Sequence, residues 1–179
     1  MKGMGFLLAV AVTACQATTS GTSTSSQVQA VSADNANFAP YRTFGFRLAE
    51  APPAPYEASP RSFEVERRVR EMVAAELGRK GYTEAGTNPD FLVRLSSGIA
   101  KQEKAQPTTT SGANENDPQT VTAGEIVVDA FDRSTSQQVW HGTARAEIDP
   151  QRINEPALQA AVQQMLARFP ARSDAPAQK

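Results

Sequence analysis

The sequence predicts an α+β fold: a two-layer sandwich in which a four-stranded mixed sheet carries two amphipathic helices on one face, in the order β-α-β-β-β-α. Three observations predict it. Two stretches repeat apolar residues at helical spacing, four short stretches are β-favouring or alternate with the period of a strand, and 179 residues are enough for one ordinary domain. Each helix needs an apolar surface, and one face of a mixed sheet supplies both. The other sheet face is left partly polar.

The first strand is Tyr41-Arg42-Thr43-Phe44-Gly45-Phe46, aromatic and β-favouring, and it stops at Pro52, Pro53 and Pro55, which cannot pair in a sheet interior. After Ser59-Pro60 the spacing becomes helical through Val65, Val69, Met72, Val73 and Leu77. Glu64 and Glu66 stand in the first turn, and Arg79, Lys80 and Gly81 close the end. Asn88-Pro89-Asp90 is a turn, and Phe91 to Ser96 is a strand with Phe91, Val93 and Leu95 on one side. A strand, a helix and a strand in one sheet make the first two strands parallel. Lys101 to Thr122 is polar and reads as a long loop or as a hairpin with a mobile tip. Glu125 to Phe131 is a strand, Asp132 to Gln137 a turn, and Val139 to Ile148 its hairpin partner. Alternation sets Trp140, Ala144, Ala146 and Ile148 on one face and His141, Thr143, Arg145 and Glu147 on the other. Finally Asn154 caps a helix with Pro156 in its first turn, and Leu158, Ala161, Val162, Met165, Leu166 and Phe169 form its stripe up to Pro170.

Ahead of these elements, Lys2 precedes a short apolar run from Phe6 to Val12. The run is too short for a spanning helix, which needs about 20 apolar residues, and a Ser/Thr-rich stretch follows at once. Val12-Thr13-Ala14-Cys15 resembles a bacterial lipobox, in which the cysteine receives diacylglycerol, cleavage falls after Ala14, and the new N-terminus is acylated. Acyl anchoring is firm, since each buried methylene contributes about 0.8 kcal/mol. Gln16 rather than Asp follows the cysteine, and by resemblance to Gram-negative sorting rules this implies the outer membrane, facing the periplasm. The expected organisation is a signal peptide at 1–14, a lipidated N-terminus and flexible tether at 15–37, one periplasmic domain at 38–170, and a frayed tail at 171–179.

The 18 Lys and Arg against 19 Asp and Glu leave no basic stripe for nucleic acid. Removing residues 1–14 takes away Lys2 alone, so 17 basic groups then face 19 acidic ones. A single cysteine excludes disulfide frameworks and cysteine-based zinc or iron–sulfur sites within one chain.

Five stretches together resemble a known family in sequence and order: Tyr41 to Phe46; Gly81-Tyr82; Pro89-Asp90-Phe91-Leu92-Val93; Gly124 to Asp132; and Val139-Trp140-His141-Gly142-Thr143-Ala144. The family is a bacterial lipoprotein family, domain-of-unknown-function family forty-one thirty-six. The resemblance implies fold and location rather than an activity, and it carries over no catalytic residues. His141 departs from the pattern, which has Arg or another basic residue after the Trp.

Little in the residues points to chemistry. His141 is the only histidine, and Ser96, Ser97, Asp129 and Asp132 are the remaining ingredients of a nucleophilic triad, but no G-x-S-x-G elbow is present. Glu125 and Asp129 share one strand face as a candidate cation pair without a metal-site spacing. No phosphate loop and no cofactor motif appears. That leaves binding, with Arg94, His141, Thr143 and Arg145 as the candidate partner face. The plain alternative is that these residues only solvate the sheet. The leading reading is a non-catalytic envelope module with a protein partner. The first alternative is a carrier or accessory protein for lipid or another amphiphile, for which the two helix stripes offer no evident surplus of apolar positions. The second is a hydrolase.

Overall fold

Local signals set the two helices, and the helices set which sheet face is buried. The computed structural model describes residues 26–104 and 119–172, so Cys15, the segment before it and the tail from 173 lie outside the described residues. In chain order the elements are β1 Gln27–Ser32, β2 Thr43–Phe46, α1 Ser62–Arg79, β3 Thr83–Glu84, β4 Phe91–Lys104, β5 Gln119–Asp132, β6 Gln138–Glu147 and α2 Glu155–Ala167.

α1 ends where its sequence says it should. Gly81 has φ 92°, its N–H donates to the Gly78 carbonyl at 3.0 Å, and the Tyr82 N–H donates to the Leu77 carbonyl at 3.0 Å. This pair of bonds satisfies the last carbonyls of the helix and needs a left-handed residue at position 81. At the start of α2 the Asn154 Oδ1 accepts from the Ala157 N–H at 3.2 Å, with Pro156 just inside the helix.

The sheet order is β1-β6-β5-β4-β2-β3. β2 and β4 are parallel, in register Phe44 opposite Phe91, as the strand–helix–strand order requires. The expected four strands are corrected to six. β3 is two residues directly after the α1 turn, paired with β2; β1 falls in the stretch expected to be a flexible tether and pairs antiparallel with β6 over six residues. Its apolar content is only Val28, Ala30 and Val31, but Val28 and Ala30 pack against the core beneath α2, and that burial holds the segment. The Lys101–Thr122 stretch is resolved in favour of the hairpin, because β4 and β5 stay in register from Phe91 opposite Asp132 out to Lys104 opposite Gln119. Its tip, 105–118, lies outside the described residues.

The core lies between the sheet and both helices. Phe91 is its centre, with ring centroids 5.5 Å from Tyr41, 5.3 Å from Tyr82 and 5.7 Å from Phe169. Phe169, just past α2, stands edge-on to Trp140 at 5.2 Å. Two carboxylates pin the loops at this end. Burial raises the Asp90 pKa, but hydrogen bonds from the Arg42 and Thr43 N–H groups and the Thr43 hydroxyl outweigh it, and the net shift is downward. Asp132 accepts from the Ser134 hydroxyl at 2.6 Å, the Tyr41 hydroxyl at 2.7 Å and the Thr135 N–H at 2.8 Å. These bonds hold its carboxyl well below the usual range. Burial, and then the bond to Asp132, pushes the Tyr41 hydroxyl up.

The Pro-rich segment after β2 is a strap. The N–H groups of Arg47 and Glu50 donate to the carbonyls of Val93 and Leu95 at 2.9 and 3.3 Å, and Glu57 exchanges two bonds with Ile99. The prolines sit between these contacts, where no N–H is needed. Pro52 lies so close over Gly98 that a Cβ there would meet its side chain at 2.7 Å, and Tyr56 is buried with Ala100 and Ala123.

Candidate polar face

The face of the sheet away from the helices is organised by β5. Strand pairing sets Arg94, Asp129 and His141 side by side across β4, β5 and β6, and sets Glu125 beside Arg145. Asp129, 4% exposed, is the hub. Its Oδ2 accepts from Arg94 Nη2 at 2.8 Å and Nε at 3.3 Å; its Oδ1 accepts from Gln138 Nε2 at 2.7 Å and lies 2.6 Å from His141 Nδ1. Arg94 also meets Glu50 of the strap and lies over the Phe131 ring, as does Arg47, with guanidinium-to-ring distances of 4.7 and 5.2 Å. Four residues further along each strand, Glu125, 2% exposed, accepts from Arg145 Nε at 2.6 Å, and Arg145 approaches the Tyr56 ring at 5.8 Å. The bond to Glu125 raises the Arg145 pKa further.

The four sequence-predicted partner residues, Arg94, His141, Thr143 and Arg145, therefore do share one face. Their character differs from expectation. Thr143 is buried, and each charged group rests on a buried carboxylate, so the patch is a charge-balanced lattice rather than a basic surface. The residues that reading missed are Arg47, Glu50, Phe131 and Gln138. Gln138 reaches this face only through the bulge that shifts the register between Ala130 and Phe131, against the plain alternation of the strand, and nothing in the sequence ties the strap to this face.

The triad ingredients are not assembled. Ser97 lies on the helix face, its hydroxyl near the Ser62 carbonyl and Glu66. Ser96 is on the polar face, but β5 separates it from His141, and two strand spacings of about 4.8 Å exceed hydrogen-bond reach. Asp132 is engaged as described. Glu125 and Asp129 each accept from an arginine. Among the described residues no group of three His, Cys, Asp or Glu side chains comes together.

A second feature is an open groove of about 1270 Å³ between the N-terminal turns of the two helices and the sheet, with Val65, Ile126, Ile148, Ile153 and Leu158 in its lining. Its lining is mixed, with Arg61, Glu147, Asp149, Arg152 and Glu155 beside those apolar side chains. Among the described residues no helix is long and apolar enough to cross a membrane.

Two solved structures share this architecture. A PDZ domain protein from Parabacteroides distasonis superposes with a TM-score of 0.56 at 14% identity, over 81% of this chain and 36% of that one, so the chain spans about a third of that protein's length. PelC from Paraburkholderia phytofirmans, a dodecamer, superposes with a TM-score of 0.50 at 12% identity, over 83% of this chain and 99% of that one. At such identities the likeness is one of fold alone. No curated protein matches the chain. The match that identifies it covers residues 28–171, from β1 to the end of α2 and beyond, and on that match the chain belongs to the domain of unknown function family DUF4136.

Proposed function

We propose that this chain is a lipoprotein of the Gram-negative outer membrane, anchored through an acylated Cys15, whose folded domain is a non-catalytic module binding another envelope protein. The observation that carries the binding reading is the placement of His141 and Arg145 on β6. Both are about half exposed, 43% and 48% by side chain, and each is oriented by a carboxylate buried beneath it. Four residues along one strand set them about 13 Å apart. An imidazole and a guanidinium held at fixed spacing on a rigid sheet suit recognition of polar groups on a partner, because little side-chain freedom is lost on contact. The separation of the serines from His141 supports the non-catalytic part.

The test is cross-linking in living cells with mass-spectrometric identification, run on the wild type, Cys15→Ser and His141→Ala, beside palmitate labelling and membrane fractionation. The expected result is a labelled outer-membrane protein that captures one defined envelope protein, with capture lost in Cys15→Ser and weakened in His141→Ala. An unlabelled chain, or an inner-membrane one, overturns the anchoring; capture indifferent to His141→Ala overturns the face.

The groove favours a second reading, a carrier of lipid or another amphiphile. Under it the natively purified protein brings acyl lipid with it, and no protein partner is captured.

A further inference from the structure

Edge strands present unpaired N–H and C=O groups, and proteins guard them with charges, prolines, bulges or a covering segment. The two edges of this sheet differ in that respect. On one side β3 is only two residues long, and the strap runs along β4 beyond β2. On the other, β1 reads Gln-Val-Gln-Ala-Val-Ser, with neither charge nor proline, and no described residue pairs with its open side. Val31 on this strand is 61% exposed.

The direction of the free groups follows from the ladder. The Ala33 N–H donates to the Val139 carbonyl of β6 at 3.0 Å, so at a period of two Val31, Gln29 and Gln27 also turn their backbone groups to β6. Those of Val28, Ala30 and Ser32 point outward. Two copies of β1 placed antiparallel keep every residue on its own face whenever the two-fold axis passes through a residue of the strand, and the register centred on Gln29 is the one that sets apolar Val28 against apolar Ala30. In it Val28 of each copy exchanges both bonds with Ala30 of the other, Gln27 lies opposite Val31, and Gln29 faces its own counterpart in a non-hydrogen-bonded pair. No like charges meet, Val28 and Ala30 extend the buried face across the junction, and Val31 gains a neighbour.

We propose that β1 is a self-docking edge, on which two copies of this chain join antiparallel about a two-fold axis at Gln29 and fuse their sheets into one. The interface is isologous and closes as a dimer. It is independent of the anchoring reading and is tested without the anchor.

The test uses the full chain carrying Cys15→Ser, so that an added Gln29→Cys is its only thiol. Facing α-carbons of a non-hydrogen-bonded pair lie about 4.5 Å apart, inside the range a disulfide spans. Mild oxidation is expected to give a disulfide-linked dimer with Gln29→Cys and not with Gln137→Cys in the hairpin turn. In sedimentation the Cys15→Ser chain is expected to dimerise with concentration. Gln29→Lys, an exposed position that leaves the fold and its thermal unfolding intact, weakens the dimer by about tenfold, and mixing Gln29→Lys with Gln29→Glu restores it. A monomer at every concentration up to about 1 mM, a dimer indifferent to Gln29→Lys, or cross-linking no better at 29 than at 137 overturns the proposal. A monomer that instead captures the strand of another protein overturns it equally.

Discussion

Asp129 gathers four nitrogen atoms from three side chains while almost wholly buried. Burying a charge is costly unless its partners remain, so the stability at stake lies in removing one partner rather than in the pair itself. Reversing Arg94 or Arg145 therefore strikes at folding as well as at any partner contact. Arg94→Glu sets a second carboxylate against Asp129 and is expected to lower unfolding stability in urea by about 3 kcal/mol. His141→Ala removes one contact of a half-exposed ring and costs about 1 kcal/mol or less; equal losses from the two variants would refute the hub. Asp132 makes a pH prediction at the same scale. Its folded carboxyl titrates below its unfolded value of about 3.9, so its contribution is complete above that value and is lost as the pH falls through the folded one. Asp132→Asn is accordingly expected to show a smaller fall in melting temperature between about pH 5 and pH 2 than the wild type. An unchanged acid limb counts against it.

The elements legible from sequence were those with more than one independent signal. α1 has its apolar stripe and Gly81, α2 has its stripe with Asn154 and Pro156, and the β5–β6 hairpin alternates through a polar turn. From the hairpin alternation alone His141, Thr143 and Arg145 fall on one face and Trp140 and Ala144 on the other. What alternation does not supply is the neighbour across the sheet, and so the pairing of each basic group with a buried carboxylate was not legible. β3 escaped notice because two residues carry no period. The strap escaped because proline signals a loop locally, while its docking depends on non-proline N–H groups reaching β4. Gly142 shows how tightly α2 sits on β6. A Cβ there would run into the Trp140 ring and come within 2.6 Å of Met165 Cγ, both on fully buried side chains. Gly142→Ala is expected to cost about 1–3 kcal/mol by overpacking, read as a lower urea midpoint, whereas Gly86→Ala, with open space around it, serves as the matched control. Equal midpoints for the two variants would mean that the helix yields.

At the scale of the whole molecule the decisive difference between expectation and structure is where the domain begins. A Ser/Thr/Gln-rich stretch has too little apolar content to fold by itself, and composition rightly marks it as unable to order unaided. Composition does not register that β6 would otherwise be an edge, with Trp140 and α2 beside it, so that a weakly apolar strand is ordered by what it completes. Val28, Ala30 and Ala36 pack against the core, Phe38 meets Phe169 edge-on at 5.2 Å, and the family match itself starts at Val28. Residues 27–37 therefore belong to the folded domain. Two truncations separate the alternatives. A chain starting at Ser26 is expected to unfold in urea at the midpoint of the full chain. One starting at Phe38 loses the β1 ladder and the packing of Val28 and Ala30 beneath α2, and is expected to be less stable by about 4 kcal/mol, at about 0.5 kcal/mol for each lost ladder bond, the low end for such bonds, with the apolar burial adding to it. A lower slope of stability against urea in the shorter chain would show that less surface is buried on folding. Coincident transitions for the two truncations would return residues 27–32 to the tether, and would remove the edge on which two copies are proposed to meet.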